Sequence, residues 1–104
     1  MEEIKYPTEE ELKIIENWDF NTNFTEEIPK FLTFIKDLWW MSDWGWTEKK
    51  EEENGNNVTN LYLSTGGWSG NEDLIDAMKN TFFWKFCWKQ HRRGGHYIFE
   101  ILKH

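Results

Sequence analysis

The chain has 104 residues, with 19 acidic against 12 basic side chains and a formal charge of −7. That length fits one domain, and although apolar residues make up only 38%, eight Trp, eight Phe and three Tyr supply rings that each bury roughly 150–250 Å². These figures exclude wholesale disorder; no apolar run approaches the roughly 18–20 residues of a membrane span, and Cys87 alone excludes an internal disulfide.

In chain order, Thr8 and Glu11 form a capping box, and Leu12, Ile14, Ile15 and Trp18 predict an amphipathic helix. Asp19 to Phe24 reads as a loop rich in Asn. Thr25 is expected to cap a second helix, with Pro29 in or just after its first turn. Ile28, Phe31, Leu32, Ile35, Leu38 and Trp39 form the apolar stripe of that helix. Beyond Ser42 the pattern changes. Trp44 and Trp46 alternate with small or polar residues, Glu48 to Glu53 is strongly charged, and Asn54-Gly55-Asn56-Asn57 signals a turn. Val58 to Thr65 is the returning strand.

A helix from about Asn71 to Asn80 follows, with Leu74, Ile75 and Met78 on one side. From Phe82 the composition favours strands, with Trp84, Phe86 and Trp88 on one face and Phe83 and Cys87 on the other. His91 to Gly95 reads as a hairpin loop and His96 to Leu102 as the partner strand. The expected fold is α+β, with two N-terminal helices, then a β-hairpin, a helix and a β-hairpin forming a mainly antiparallel four-stranded sheet. Residues 1–104 are expected to form a single domain, helical over 1–42 and ββαββ over 43–104.

Charge and glycine divide unevenly along the chain. Residues 1–60 carry 15 acids and 6 bases, whereas residues 61–104 carry 4 acids and 6 bases. Lys85, Lys89, Arg92 and Arg93 form a run with no acid between Asp76 and Glu100, and five of the seven glycines lie in this second part. An acidic half repels nucleic acid, so direct DNA coating is not expected, but a local basic, glycine-rich surface suits a small anion.

The stretch Leu61 to Leu74 reads as strand, glycine-rich turn and helix start. Such backbone lets N–H groups approach an oxyanion closely, and the helix N-terminus adds a favourable dipole. Gly66, Gly67 and Gly70, with Ser64, Thr65, Ser69 and Asn71, are therefore candidate phosphate-binding residues. In the second stretch, Trp84 to Tyr97, bases interleave with aromatics, a combination that holds phosphate by guanidinium and a ring by stacking. Arg92 and Arg93 would supply charge, Trp68, Trp88 or Tyr97 a stacking surface, and Glu72 or His96 contacts to a ribose or base edge. The plainer alternatives are a tight strand-to-helix connection capped by Ser69 or Asn71, with Trp68 folded onto the core, and an ordinary hairpin with solvated arginines. Neither a Walker A loop nor a Rossmann fingerprint is present.

Catalytic readings find little support. Gly67 to Asn71 resembles a nucleophile elbow only in part, because Asn71 stands where the final Gly belongs. Ser69, His96 and Asp76 could be drawn as a triad, and Glu72 with His96 as an acid–base pair, but no spacing ties them together. Cys87, His91 and His96 match no zinc spacing. No catalytic residue, metal or cofactor is therefore assigned; a small hydrolase acting on a nucleotide stands as the weaker alternative to a binding protein. Glu48 to Glu53, with Glu9–Glu11 and Glu26–Glu27, could present carboxylates to a basic surface of a host protein; the alternative is a solvated face. Trp39, Trp40, Trp44 and Trp46 are four indoles in eight residues, and self-association covering them would give a homo-oligomer.

Ser64-Thr-Gly-Gly-Trp-Ser-Gly-Asn-Glu72, then Phe83-Trp84, Cys87-Trp88 and Arg92-Arg93-Gly-Gly-His-Tyr97, resembles a group of small uncharacterised proteins of tailed bacteriophages and prophages. The likeness covers about the C-terminal 45 residues. It implies a setting, that of accessory or counter-defence factors that sequester nucleotide signals or block host enzymes, and it brings no mechanism. The opening Met1 to Lys5 does not read as a secretory leader, and the lone Cys87 suits the reducing host cytoplasm. The combined expectation is a cytoplasmic protein that binds a small nucleotide-like anion and has no membrane partner.

Overall fold

The computed structural model describes residues 6–21 and 23–102. Helix α1 spans Glu9–Glu16, and its capping box is formed. The Thr8 hydroxyl accepts from the Glu11 N–H at 3.1 Å, and the Glu11 carboxylate accepts from the Thr8 N–H at 2.9 Å. Helix α2 spans Phe24–Leu38 and is capped by Asn23, not Thr25. Asn23 Oδ1 accepts from the Glu26 N–H at 3.2 Å, consistent with the stronger capping preference of Asn over Thr. The start is thereby earlier, and Pro29 falls inside the helix on its exposed side.

A helical turn, α3 at Ser42–Gly45, follows and holds Trp44, which the alternating pattern had joined to a strand. Strands β1 (Trp46–Glu53) and β2 (Asn56–Ser64) form the first hairpin around Asn54-Gly55. Helix α4 covers Ser69–Met78. The next segment departs from expectation: Phe82–Cys87 is a helix, α5, instead of the start of a strand. Thr81 is its cap, accepting from the Trp84 N–H at 3.3 Å while its hydroxyl donates to the Met78 carbonyl at 2.7 Å. Phe83 and Cys87 point inward together, as they would in either structure, because a separation of four returns to the same face at both periods. Trp84, Phe86 and Trp88 do not share a strand face; Phe86 is 70% exposed. Strands β3 (Trp88–Arg92) and β4 (His96–Leu102) complete the chain, so the hairpin loop is shorter than expected, at 93–95.

The four strands run in the order β1-β2-β4-β3 with every neighbouring pair antiparallel, giving the α+β architecture. The register places Trp46, Leu63 and Tyr97 in one row and Leu61 and Phe99 in the next, all facing the helices and all buried. A column of rings ties the layers together. Trp18 meets Phe31 of α2 at 5.4 Å, Phe31 meets Phe83 of α5 at 5.4 Å, and Phe83 meets Phe99 of β4 at 5.2 Å. Aromatic pairs at this spacing add about 0.5–1.5 kcal/mol each beyond their burial.

The outer edge of the sheet explains the acidic run. Glu48 to Glu52 lie on β1, whose far side pairs with no strand among the described residues, and charged side chains there discourage edge-to-edge pairing. Nor do the four neighbouring indoles form one exposed patch. Trp39 and Trp46 are buried against each other at 5.6 Å, Trp40 is half-buried against Trp68 at 4.8 Å, and Trp44 is exposed. Among the described residues no helix is long and apolar enough to cross a membrane.

Asn71 joins the helical layer to the glycine-rich turn. Its carboxamide accepts from the Trp40 N–H at 2.9 Å and donates to the Trp40 carbonyl at 3.0 Å and the Thr65 carbonyl at 3.4 Å. Replacing it strands part-buried backbone groups. Asn71→Ala should therefore lower unfolding free energy by about 2–3 kcal/mol in urea melts, whereas Ser69→Ala on the exposed side of the same turn should change it by under about 0.5 kcal/mol.

Candidate ligand-binding site

Side chains alternate across a strand, so the residues between the core rows face away from the helices. Ser64 pairs with His96, and His96 with Arg92, which puts these three in one row across the open face. Thr47, Tyr62 and Ile98 form the adjacent row. Together with Trp44 they line a concavity of about 320 Å³ at one end of the sheet.

The two glycine-rich loops meet at this end. The Thr65 N–H donates to the Gly95 carbonyl at 3.0 Å, extending the β2–β4 ladder by one bond. Contact is so close that a Cβ on Gly95, whose φ is +77°, would run into the Thr65 hydroxyl. Thr65 also closes the first turn, accepting from the Trp68 N–H at its carbonyl (3.0 Å) and from the Gly67 N–H at its hydroxyl (3.3 Å). Gly66 and Gly67 turn with φ of +63° and +74°, and Gly66 lies against the Trp44 indole. Trp44 thereby becomes a wall between the first loop and the concavity.

The structure sorts the sequence candidates into two groups. Ser64, Arg92, His96 and Tyr97 line the concavity. Arg93 and the glycines of both loops do not line it, nor does Thr65, which is buried with its hydroxyl accepting from the Gly67 N–H. Trp68, Ser69, Gly70, Asn71 and Glu72 do not line it. Trp68 packs between Trp40 at 4.8 Å and Tyr6 at 5.0 Å, Gly70 is buried, and the Asn71 amide is engaged by backbone. Ser69 and Glu72 are exposed in the first turn of α4. Trp88 stacks on Trp84 at 6.4 Å opposite Phe99, at the other end of β3. Tyr97 contributes little free ring surface, because His91 lies parallel to it at 4.3 Å and the Trp84 edge meets it at 5.7 Å.

Two residues absent from the sequence candidates take their place. Trp44, 63% exposed, is the ring available for stacking at the concavity, and Tyr62 lines it too, with Lys49 Nζ 5.5 Å from its ring centre. Only the β1–β2 register and the α3 turn bring them there; no local signal separates Trp44 from its neighbours. Among the described residues lining the concavity, Arg92 and His96 are basic and none is a carboxylate. Ser64 Oγ is buried there with no hydrogen-bond partner among the described residues. The arrangement combines a guanidinium, an imidazole, hydroxyls from Ser64, Thr47 and Tyr62, and an exposed indole. Chemically it can hold an anion and a flat ring together.

Comparison of the chain with protein-family models, with curated proteins and with solved structures returns no match.

Among the described residues no three His, Cys, Asp or Glu side chains gather as a metal site. Cys87 is buried on the helical side, where desolvation pushes its thiol up to about 12. The folded state then holds this proton more tightly than the unfolded chain, whose thiol titrates near 9. The resulting stabilisation is complete below pH 9 and is lost as pH rises toward 12. In urea melts at stepped pH, the stability of the wild type relative to Cys87→Ala should decline over that window, and parallel curves would show that the thiol is not so held.

Proposed function

We propose that this protein binds and sequesters a small anion carrying an aromatic ring, most simply a nucleotide or nucleotide-derived signal, without turning it over. The observation that carries the reading is the meeting of the two glycine-rich loops beside one open-face row, Ser64, His96 and Arg92, with Trp44 as the adjacent ring. Phosphate would sit at Arg92, His96 and the unpartnered Ser64 hydroxyl, and the base would stack on Trp44. Arg93 would add charge at the loop. This reading shifts the stacking role from Trp68 and Tyr97, whose faces are covered, to Trp44. The phage-type, cytoplasmic counter-defence setting rests on the C-terminal sequence pattern alone and gives the sequestration a purpose.

Isothermal titration with nucleotides and cyclic nucleotides, at protein concentrations about a hundredfold above a micromolar Kd, tests the reading. One ligand of the panel should bind at one per chain and be recovered unchanged. Arg92→Ala should weaken it roughly 10–100-fold through loss of a charge-assisted contact, and Trp44→Ala by roughly 5–100-fold through loss of stacking. Glu51→Lys, on the charged edge strand, should leave affinity within about threefold if screening limits its reach. Absence of heat with every nucleotide would refute the proposal.

A further inference from the structure

A second cavity, of about 730 Å³, lies on the helical side of the sheet and shares no lining residue with the concavity around Ser64. It opens between the first half of α2, the outer face of α5 and the end of β4. Phe20, Phe24, Ile28, Phe82, Phe86 and Ile101 form its walls. Phe24 meets Phe86 edge-on at 5.6 Å, and Phe82 lies nearly parallel to Phe86 at 6.3 Å. These last two rings remain 47% and 70% exposed, although they stand in a helix with buried positions available beside them.

The chemistry of the walls restricts the occupant. Cys87 lines the cavity as a protonated, uncharged thiol. Glu100 also borders it, but its carboxylate is held by Lys89 at 3.1 Å. A charged ligand would lose hydration among rings that return no counter-charge. The remaining polar groups are those of Asn21 and Thr25, both on exposed residues.

Size discriminates between a small molecule and a macromolecule. A volume of about 730 Å³ falls inside the roughly 300–1,000 Å³ range of small-ligand pockets. A Phe side chain buries roughly 150–250 Å² when covered, so Phe82 and Phe86 leave only about 200–300 Å² in need of cover. A stable protein interface takes roughly 800 Å² from each partner. The exposed rings are too little for a second chain and about right for one ligand.

We infer that the slot between α2, α5 and β4 is a binding site for an uncharged, mainly apolar small molecule with an aromatic or branched aliphatic body. Its apolar part fills the space between the Phe24, Phe82 and Phe86 rings, and a hydrogen-bonding group reaches Asn21 or Thr25 at the mouth. The site is independent of the anion-binding concavity.

Titration of the full chain with the neutral probe N-phenyl-1-naphthylamine tests this inference. Its fluorescence should rise saturably with one probe per chain. Phe86→Ala, which removes a wall, and Thr25→Trp, which fills the mouth from an exposed helical position, should each weaken binding at least tenfold with unchanged far-UV circular dichroism. Trp44→Ala should leave it unchanged. If Phe86→Ala loses its fold, Thr25→Trp decides. Absence of saturable binding, or binding that Thr25→Trp leaves intact, would overturn the inference. So would a wild-type dimer in sedimentation that Phe86→Ala dissociates, because a second copy would then be the occupant.

Discussion

The structure depends on a column of rings. Phe31, Phe83 and Phe99 bridge α2, α5 and the central strand β4, between aliphatic residues that fill the rest of the core. Each ring covers more area than a Leu or Val would, and their edges and faces set how closely the layers approach. Trp18 and Phe20, between α1 and α2, extend the column at Phe31, and the Trp39–Trp46 pair belongs to the same core. Only part of the aromatic content of the sequence lies in this core; Tyr6, Trp44, Phe82, Phe86 and Trp88 stay exposed.

Committing one face of the sheet to those rings frees the other. With the long helices gathered on the side of Leu61, Leu63 and Phe99, the alternating positions Ser64, His96 and Arg92 face away from them, beside Trp44 of α3. Arg92 and His96 remain exposed on that face, whereas the Ser64 hydroxyl is buried. The Thr65–Gly95 contact then brings two turns, 30 residues apart in sequence, to a shared end of the sheet. The Asn71 amide holds the first turn against the helical layer. Thus the same packing that buries Trp39 and Trp46 leaves a basic row exposed with Trp44 beside it.

Several elements were legible because their signals are local. Thr8 and Glu11 specify their cap through two hydrogen bonds within four residues, and the α2 stripe declares its period over four turns. The limits of β4 at His96 and Leu102 follow from a glycine pair and an alternating apolar segment. Where two local signals compete, the reading fails. Asn23 and Thr25 can both cap α2, and the stronger acceptor two residues earlier prevails. At α5, Phe83 and Cys87 satisfy helical and strand periods alike, and the Thr81 cap, a weak signal beside so many aromatics, decides for the helix. The candidate site was legible at its two loops and at Arg92 and His96. Trp44 was not, because its position depends on an αL residue at Met41 and on the β1–β2 register that sets the neighbouring Trp46 against Leu63.

The sequence by itself determined the α+β class, the two N-terminal helices, the two hairpins with a helix between them, the basic glycine-rich C-terminal part and the acidic run. These follow from composition, capping and periodicity, whose interactions span a few residues. Tertiary structure alone decided which rings are covered and which are free. Trp68 and Trp44 are both flanked by small and polar residues, yet one packs between Tyr6 and Trp40 while the other stands exposed at the concavity. Burial is a property of the whole packed arrangement, and a side chain's neighbours along the chain do not contain it.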